Sequence, residues 1–224
     1  LQLHSAGQLW LAFIFGLAVV FYLFAWRISQ GRSFFPFSLV IMASYALVLL
    51  LEGFSLQVLV YAISVMLAVF IIQGGQLTSV RGAQRYLVVS LLAVPLLLAA
   101  AWLMDPARST PQDAETIRRV LLPVALGFGL LLGAFPFGTW MPALAATTPP
   151  IVTAFVFTAG QAMALFLMLV FLQDNPLILS DGVTPAVIQI AGLVMAVAGG
   201  VMAAAQRGFG RLFGYAAMSD MGIL

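Results

Sequence analysis

The sequence predicts an all-α protein, a polytopic bundle of transmembrane helices, and three observations carry that prediction. Hydrophobic residues make up 63% and charged residues 7% of the 224 residues, with a mean hydropathy of +1.14. These values lie outside the soluble globular range. The apolar residues fall into runs of membrane-crossing length, about 20 residues each, and the two central runs lack the polar face that a soluble helix turns to water. Charge also alternates from one loop to the next. The chain therefore reads as one transmembrane domain, residues 1–224, with seven full spans plus the start of an eighth.

The first span, 9–26, ends on Arg27 and Arg32 and carries Trp10, Tyr22 and Trp26 near its two interfaces. A second, 34–51, opens at Pro36, where a missing N–H costs least, and stops at Glu52-Gly53. The third, 54–72, follows so closely that the two should form a tight antiparallel hairpin. Arg81 and Arg85 precede the fourth span, 86–104, in which Pro95 predicts a kink or a freed carbonyl.

The polar stretch from Asp105 to Arg119 reads as a loop outside the membrane. The fifth and sixth spans, 117–137 and 150–172, flank PFGTWMPALAATTPP. There Pro136, Trp140, Pro142, Pro149 and Pro150 mark a helix break and a packing centre. An acidic loop with Asp174 and Asp181 leads to Thr184-Pro185, a cap and first-turn signal for the seventh span, 184–205. The eighth, 212–224, is too short to cross. With no initiating methionine or basic leader before it, the opening LQLHSAGQ suggests a processed or partial sequence.

Orientation follows from counting arginines loop by loop. Connections after spans one, three and seven hold Arg27, Arg32, Arg81, Arg85, Arg207 and Arg211 and no acid. Those after spans two, four and six hold Glu52, Asp105, Asp113, Glu115, Asp174 and Asp181 against Arg108, Arg118 and Arg119. The pattern places the N-terminus outside and the arginine-only loops inside.

All nine basic residues are arginine and the net charge is +2, a surplus too small for a nucleic-acid-binding face. The absence of cysteine removes disulfides, thiolate nucleophiles, iron–sulfur ligation and cysteine zinc sites. His4 is the single histidine, so haem held by two histidines is excluded within this chain. No cofactor is expected. No phosphate-cradling loop, nucleophile constellation or paired carboxylates are visible, which argues against hydrolase and transferase chemistry.

Ion movement through a bundle needs titratable or strongly dipolar groups at depth, where a bare charge is costly. The polar candidates there are Gln161, Gln189, Gln57, Tyr61, Ser64, Tyr45 and Asp220. Asp220 is the one acid in an otherwise apolar segment, nine residues and roughly 13 Å beyond Arg211 if helical. It reads either as a proton-relay carboxylate or as a hydrated residue at a subunit interface. Glu52, beside Gly53, reads as interfacial. Gln161 can orient water or join helices but cannot carry a proton's charge. Gly129 and Gly133 spell GxxxG, a pattern that permits close helix approach.

Two blocks resemble one family. PFGTWMPALAATTPPIVTAF, 136–155, is similar to a block in antiporter-like subunits of proton-pumping NADH:quinone oxidoreductase (respiratory complex I). That block runs roughly P-F-H-x-W-x-P and then A-P-T-P-V-x-A-F. RGFGRLFGYAAMSDMGIL, 207–224, resembles the family's later K-R-L-L-A-Y-S-S-I-x-H-x-G block, and RGAQRYLVVSLLA, 81–93, more faintly an upstream helix. TAFVFTAGQAMALF points to the subunit N branch.

The resemblance implies a membrane-arm subunit in an energy-transducing membrane (bacterial inner membrane or organellar equivalent), with other membrane-arm subunits and lipid as partners and redox chemistry held elsewhere. It also implies lost relay residues. Leu131 stands at the family's central lysine, Gly138 at its histidine, Gln161 at the next helix's lysine and Asp220 at the later histidine. The family's glutamate aligns near Ala62 and Ile63, and a ten-residue shift would put Glu52 there. Asp220, Gln161 and Glu52 are the proton-path candidates. A free-standing transporter or channel with its site at the broken region 136–150 is the alternative.

Overall fold

The computed structural model describes residues 5–28, 31, 33–74, 80–104, 114–180 and 182–224. His4, Arg32, Asp105, Arg108, Asp113 and Asp181 lie outside them. Described residues form helices and no strands: α1 (Ser5–Arg27), α2 (Phe34–Leu50), α3 (Phe54–Gln73), α4 (Val80–Leu103) and α5 (Ala114–Leu132), followed by α6 (Trp140–Thr147), α7 (Pro150–Phe155), α8 (Gln161–Asp174), α9 (Pro176–Ser180), α10 (Val183–Ala204) and α11 (Phe209–Ile223). Six segments are long and apolar enough to cross a bilayer, and α2 is a shorter apolar helix of 17 residues. This is an integral membrane protein.

Neighbours along the chain pack as antiparallel pairs, α2 on α3, α3 on α4, α4 on α5 and α10 on α11. The Ser33 hydroxyl closes one such pair, donating to the Phe70 carbonyl at 3.2 Å. At the far end Gln57 donates to the Val48 and Leu51 carbonyls at 3.3 and 3.0 Å. It caps the exposed carbonyls of α2, a need every helix end has. The up-and-down order gathers Arg27, Arg81, Arg85, Arg207 and Arg211 at one end of the bundle.

The fifth crossing differs from its sequence-based boundary. It does not stop at Phe137 before a loop. Instead α5 ends at Leu132, where Gly133 takes φ 73° and the Ala134 N–H reaches back to the Gly129 carbonyl at 2.7 Å. That is a Schellman stop, which favours glycine at the left-handed position. After a short turn across a cis Phe135–Pro136 peptide, α6 carries the crossing on to Thr147. Pro142 lies in its first turn, where proline is tolerated.

Pro149 then caps α7, which begins on Pro150. The sixth crossing runs from α7 through a π turn, Val156–Gly160, into α8. α4 begins six residues earlier than its predicted start because Arg81 and Arg85 are helical. The acidic connection after α8 includes the short helix α9.

Glycine sets the helix spacing around α6, but not at the predicted pair. Gly129 faces only Ala134, and Gly133 is the turn. A second GxxxG, Gly210 and Gly214 on α11, does the close packing. A Cβ on Gly210 would lie 2.5 Å from the Ala145 carbonyl oxygen, and one on Gly214 would collide with the Pro142 backbone. α6 is thereby clamped between α11 and α4, whose Gly82 meets Leu144 and Thr147. Gly199 on α10 presses on Ser219, and Gly192 on Gly222 of α11.

Candidate functional site

The buried polar groups converge where α5 breaks and the sixth crossing widens. At the last turn of α5 the Leu131 carbonyl has no intrahelical donor to serve it, as at any helix end. Gln161, in the first turn of α8 and 4% exposed, donates its Nε2–H to that carbonyl at 3.3 Å. The π turn just before it opens the backbone ladder, and the Gly160 carbonyl accepts from the Tyr61 hydroxyl at 3.4 Å. Such turns recur at functional positions.

Tyr45 of α2 stacks on Tyr61, with ring centroids 6.3 Å apart. Tyr86 of α4 leans on Trp140 of α6 at 5.4 Å, and Trp140 meets Phe157 of the π turn edge-on at 6.0 Å. Phe157 in turn stacks on Phe213 of α11 at 5.8 Å. Tyr45, Tyr61 and Tyr86, from α2, α3 and α4, are all buried.

Chemically the centre is rich in acceptors and free of formal charge. Two backbone carbonyls, one from a helix end and one from a π turn, point at side chains that can donate hydrogen bonds. A helix C-terminus carries a partial negative charge that would suit a cation, yet the group offered to it here is a neutral amide. Gln161 Oε1 and Trp140 Nε1 are buried without a hydrogen-bond partner, groups of the kind that a buried water satisfies. Among the described residues, every buried polar side chain is uncharged: Ser38, Gln57, Ser64, Ser90, Thr148, Thr153, Gln161 and Thr184, together with Tyr45, Tyr61 and Tyr86. None of them could ligate a metal as a cluster of acids or histidines.

Residues 41–224 match the family model described as NADH:quinone oxidoreductase/Mrp antiporter, TM. The chain belongs to this antiporter family. It is also similar to NADH-quinone oxidoreductase subunit N of Desulforudis audaxviator strain MP104C, 28% identical over 245 aligned residues. That alignment takes in 98% of this chain and 47% of the relative, so the chain spans about half the relative's length.

In this antiporter-family chain, two positions where the resemblance expects lysines, Leu131 and Gln161, are neighbours joined by one hydrogen bond. The other candidates lie apart from them. Asp220 is exposed on α11, while Ser219 beside it turns inward to the Ala196 carbonyl at 2.9 Å. Glu52 is exposed at the α2–α3 turn, at the opposite end of the bundle from the arginine group. Gln189 is exposed on α10, and Gln57 is occupied as a cap. Gly138 is buried against Met218 of α11, which brings two of the resemblance blocks into contact.

Of the predicted break residues, Trp140 and Pro142 are buried, Pro149 is half-buried, and Pro136 and Pro150 are exposed. Tyr86 was missing from the sequence-based candidates. Placing the helix start after Arg85 put Tyr86 at an interface. Allowing the two arginines into the helix moves it nearly two turns inward, and that was the usable signal.

Proposed function

We propose that this chain is a membrane-arm subunit of a complex I-like NADH:quinone oxidoreductase in an energy-transducing membrane, degenerate at its proton-relay positions and largely structural. One observation carries the reading: the two positions that resemble the family's lysines are held by Leu131 and Gln161, which face each other in a buried centre whose described side chains are all neutral. A family lysine and carboxylate can move protons because each shifts the other's proton affinity. An amide bonded to a carbonyl has no proton to give up in that way.

The rest of the reading is consistent with this. Seven crossings and the start of an eighth, with the N-terminus outside, put the arginine-only ends on the inner side. Asp220 and Glu52 remain the described acids nearest a relay role, each at a surface that neighbouring subunits would cover. Partners would be other membrane-arm subunits and lipid.

The test is proton uptake during quinone-linked turnover in vesicles holding the intact assembly, comparing native protein with Asp220→Asn and Gln161→Ala. Unchanged proton-to-electron stoichiometry in both variants, with assembly intact, is the expected result. A fall in either variant would defeat the structural reading and assign that residue to a remodelled path. Purification of the chain as a lone, active transporter would defeat the subunit assignment itself.

A further inference from the structure

The polar features at the arginine end of the bundle are not used by the central site. There, a cavity of about 450 Å³ opens between the C-terminal turn of α6, at Ala146, and the turn from α10 to α11. Its polar wall is Gln206, Arg207 and Arg211, and its remaining wall is small, with Ala205, Gly208 and Gly210. The size falls within the range of small-ligand pockets, roughly 300–1,000 Å³.

Neither guanidinium group on this cavity is paired with an acid among the described residues. Asp220 is nine residues further along α11, roughly 13 Å away, and Glu52 and Asp174 belong to the other end of the bundle. Two neighbouring arginines with no acid between them repel each other, and a bound anion relieves that repulsion. The planar guanidinium forks match the oxygens of a phosphate with paired hydrogen bonds.

The cavity also sits at a depth that selects its ligand. It lies where α10, an apolar helix of membrane length, ends and α11 begins. Between the two arginines, Phe209 is 77% exposed, and Val201 one turn before the end of α10 is 66% exposed. A basic pair alternating with an outward aromatic ring is the pattern of a membrane-interface anchor, with the charges at the headgroups and the ring in the acyl boundary. The glycines at 208 and 210 leave the floor bare of side chains, so a headgroup can approach the backbone. Gly210 cannot be enlarged, because α6 already touches it.

We propose that this cavity binds the phosphate of an anionic phospholipid headgroup, held by Arg207 and Arg211. The acyl chains would lie along the outward faces of α10 and Phe209, and the bound lipid would hold the α10–α11 hairpin against the end of α6. This inference stands on the membrane location alone and is independent of whether the chain pumps protons.

The test uses the full chain purified in detergent, titrated separately with phosphatidylglycerol and phosphatidylcholine and read by native mass spectrometry, with an inorganic phosphate arm. Phosphatidylglycerol should be retained in preference to phosphatidylcholine. Each of Arg207→Gln and Arg211→Gln should weaken that retention about fivefold, and the pair together about twenty-five-fold. Arg207→Lys with Arg211→Lys should keep most of it, and Arg27→Gln, at the same end but off the cavity, all of it.

Equal retention of the two lipids would overturn the proposal, as would a double glutamine variant that binds as before. Losses as large in Arg27→Gln would reduce the effect to general surface charge and overturn it too. If inorganic phosphate displaces lipid at equimolar amounts, the site reads free phosphate and the lipid assignment falls. Should the glutamine pair misfold by circular dichroism, the single and lysine variants decide the matter on the same terms.

Discussion

Two regions of this bundle hold their helices together in opposite ways. At the centre, α5, α3 and the π turn leading into α8 meet through buried polar groups, Gln161 on the Leu131 carbonyl and Tyr61 on the Gly160 carbonyl. Around α6, α11 and α10 the backbones press together over glycine, with almost no side chain between them. Lipid tails are as apolar as leucine, so apolar burial alone gives helices little reason to prefer each other over lipid. Close packing and internal hydrogen bonds are what remain. Packing without polar groups works only if the surfaces fit, whereas a long polar contact tolerates some slack. The glycine region should therefore be the brittle one and the centre the forgiving one.

The sharpest way to break that comparison is Gly214→Leu. A side chain there meets the Pro142 backbone, which cannot move aside, and overpacking of this kind costs up to about 3 kcal/mol or more. Thermal unfolding in detergent should show a large fall in Tm, and the chain should accumulate poorly in membranes. Native-like melting would mean that α6 and α11 are not clamped as described.

Next comes Gln161→Lys, which puts a charge where every described neighbour is neutral, at about 3 kcal/mol for a helix-centre position. Unchanged stability would show that the Leu131 and Gly160 carbonyls hold a cation readily, and the centre would then look like a dormant relay. Smaller again is Gly199→Ala, whose added Cβ would sit 2.7 Å from the Ser219 nitrogen. A loss of about 2 kcal/mol is expected from one methyl. The least effect belongs to the centre's own hydrogen bonds: Gln161→Leu and Tyr61→Phe should each cost about 0.6 kcal/mol, the usual worth of such a bond between membrane helices. If either of these outweighs Gly199→Ala in the same melting assay, the ranking of the two regions is reversed.

Much of the architecture was legible without coordinates. Glu52-Gly53 between two apolar runs announced the α2–α3 hairpin, and Thr184-Pro185 placed the start of α10 to within a residue, but the cap is Gly182 and the Thr184 hydroxyl lies buried inside the helix without a hydrogen-bond partner. The proline-rich stretch marks a break, but Pro136 and Pro150 point to a later position than the glycine at 133 that stops α5. Of the candidate site, Gln161 and Tyr61 were recognised as polar groups in apolar surroundings. Asp220 was recognised on the same ground, yet its side chain faces outward, and nothing in the composition around it distinguishes the two faces of α11.

What the sequence determined by itself is what depends on composition and on short stretches of chain. Lipid forces each crossing to satisfy its backbone within its own helix, so apolar length, proline and glycine stops and arginine placement define the crossings one at a time. Only the tertiary structure decided how each helix is rotated about its axis. That rotation sets which GxxxG meets a neighbour, why Tyr45 stacks on Tyr61, and why the amide at 161 finds a carbonyl 30 residues earlier in the chain. A soluble helix displays its rotation as a stripe of polar and apolar residues. Helices that are apolar on both their lipid-facing and protein-facing sides carry no such stripe, and their facing is fixed by the fit of one surface against another.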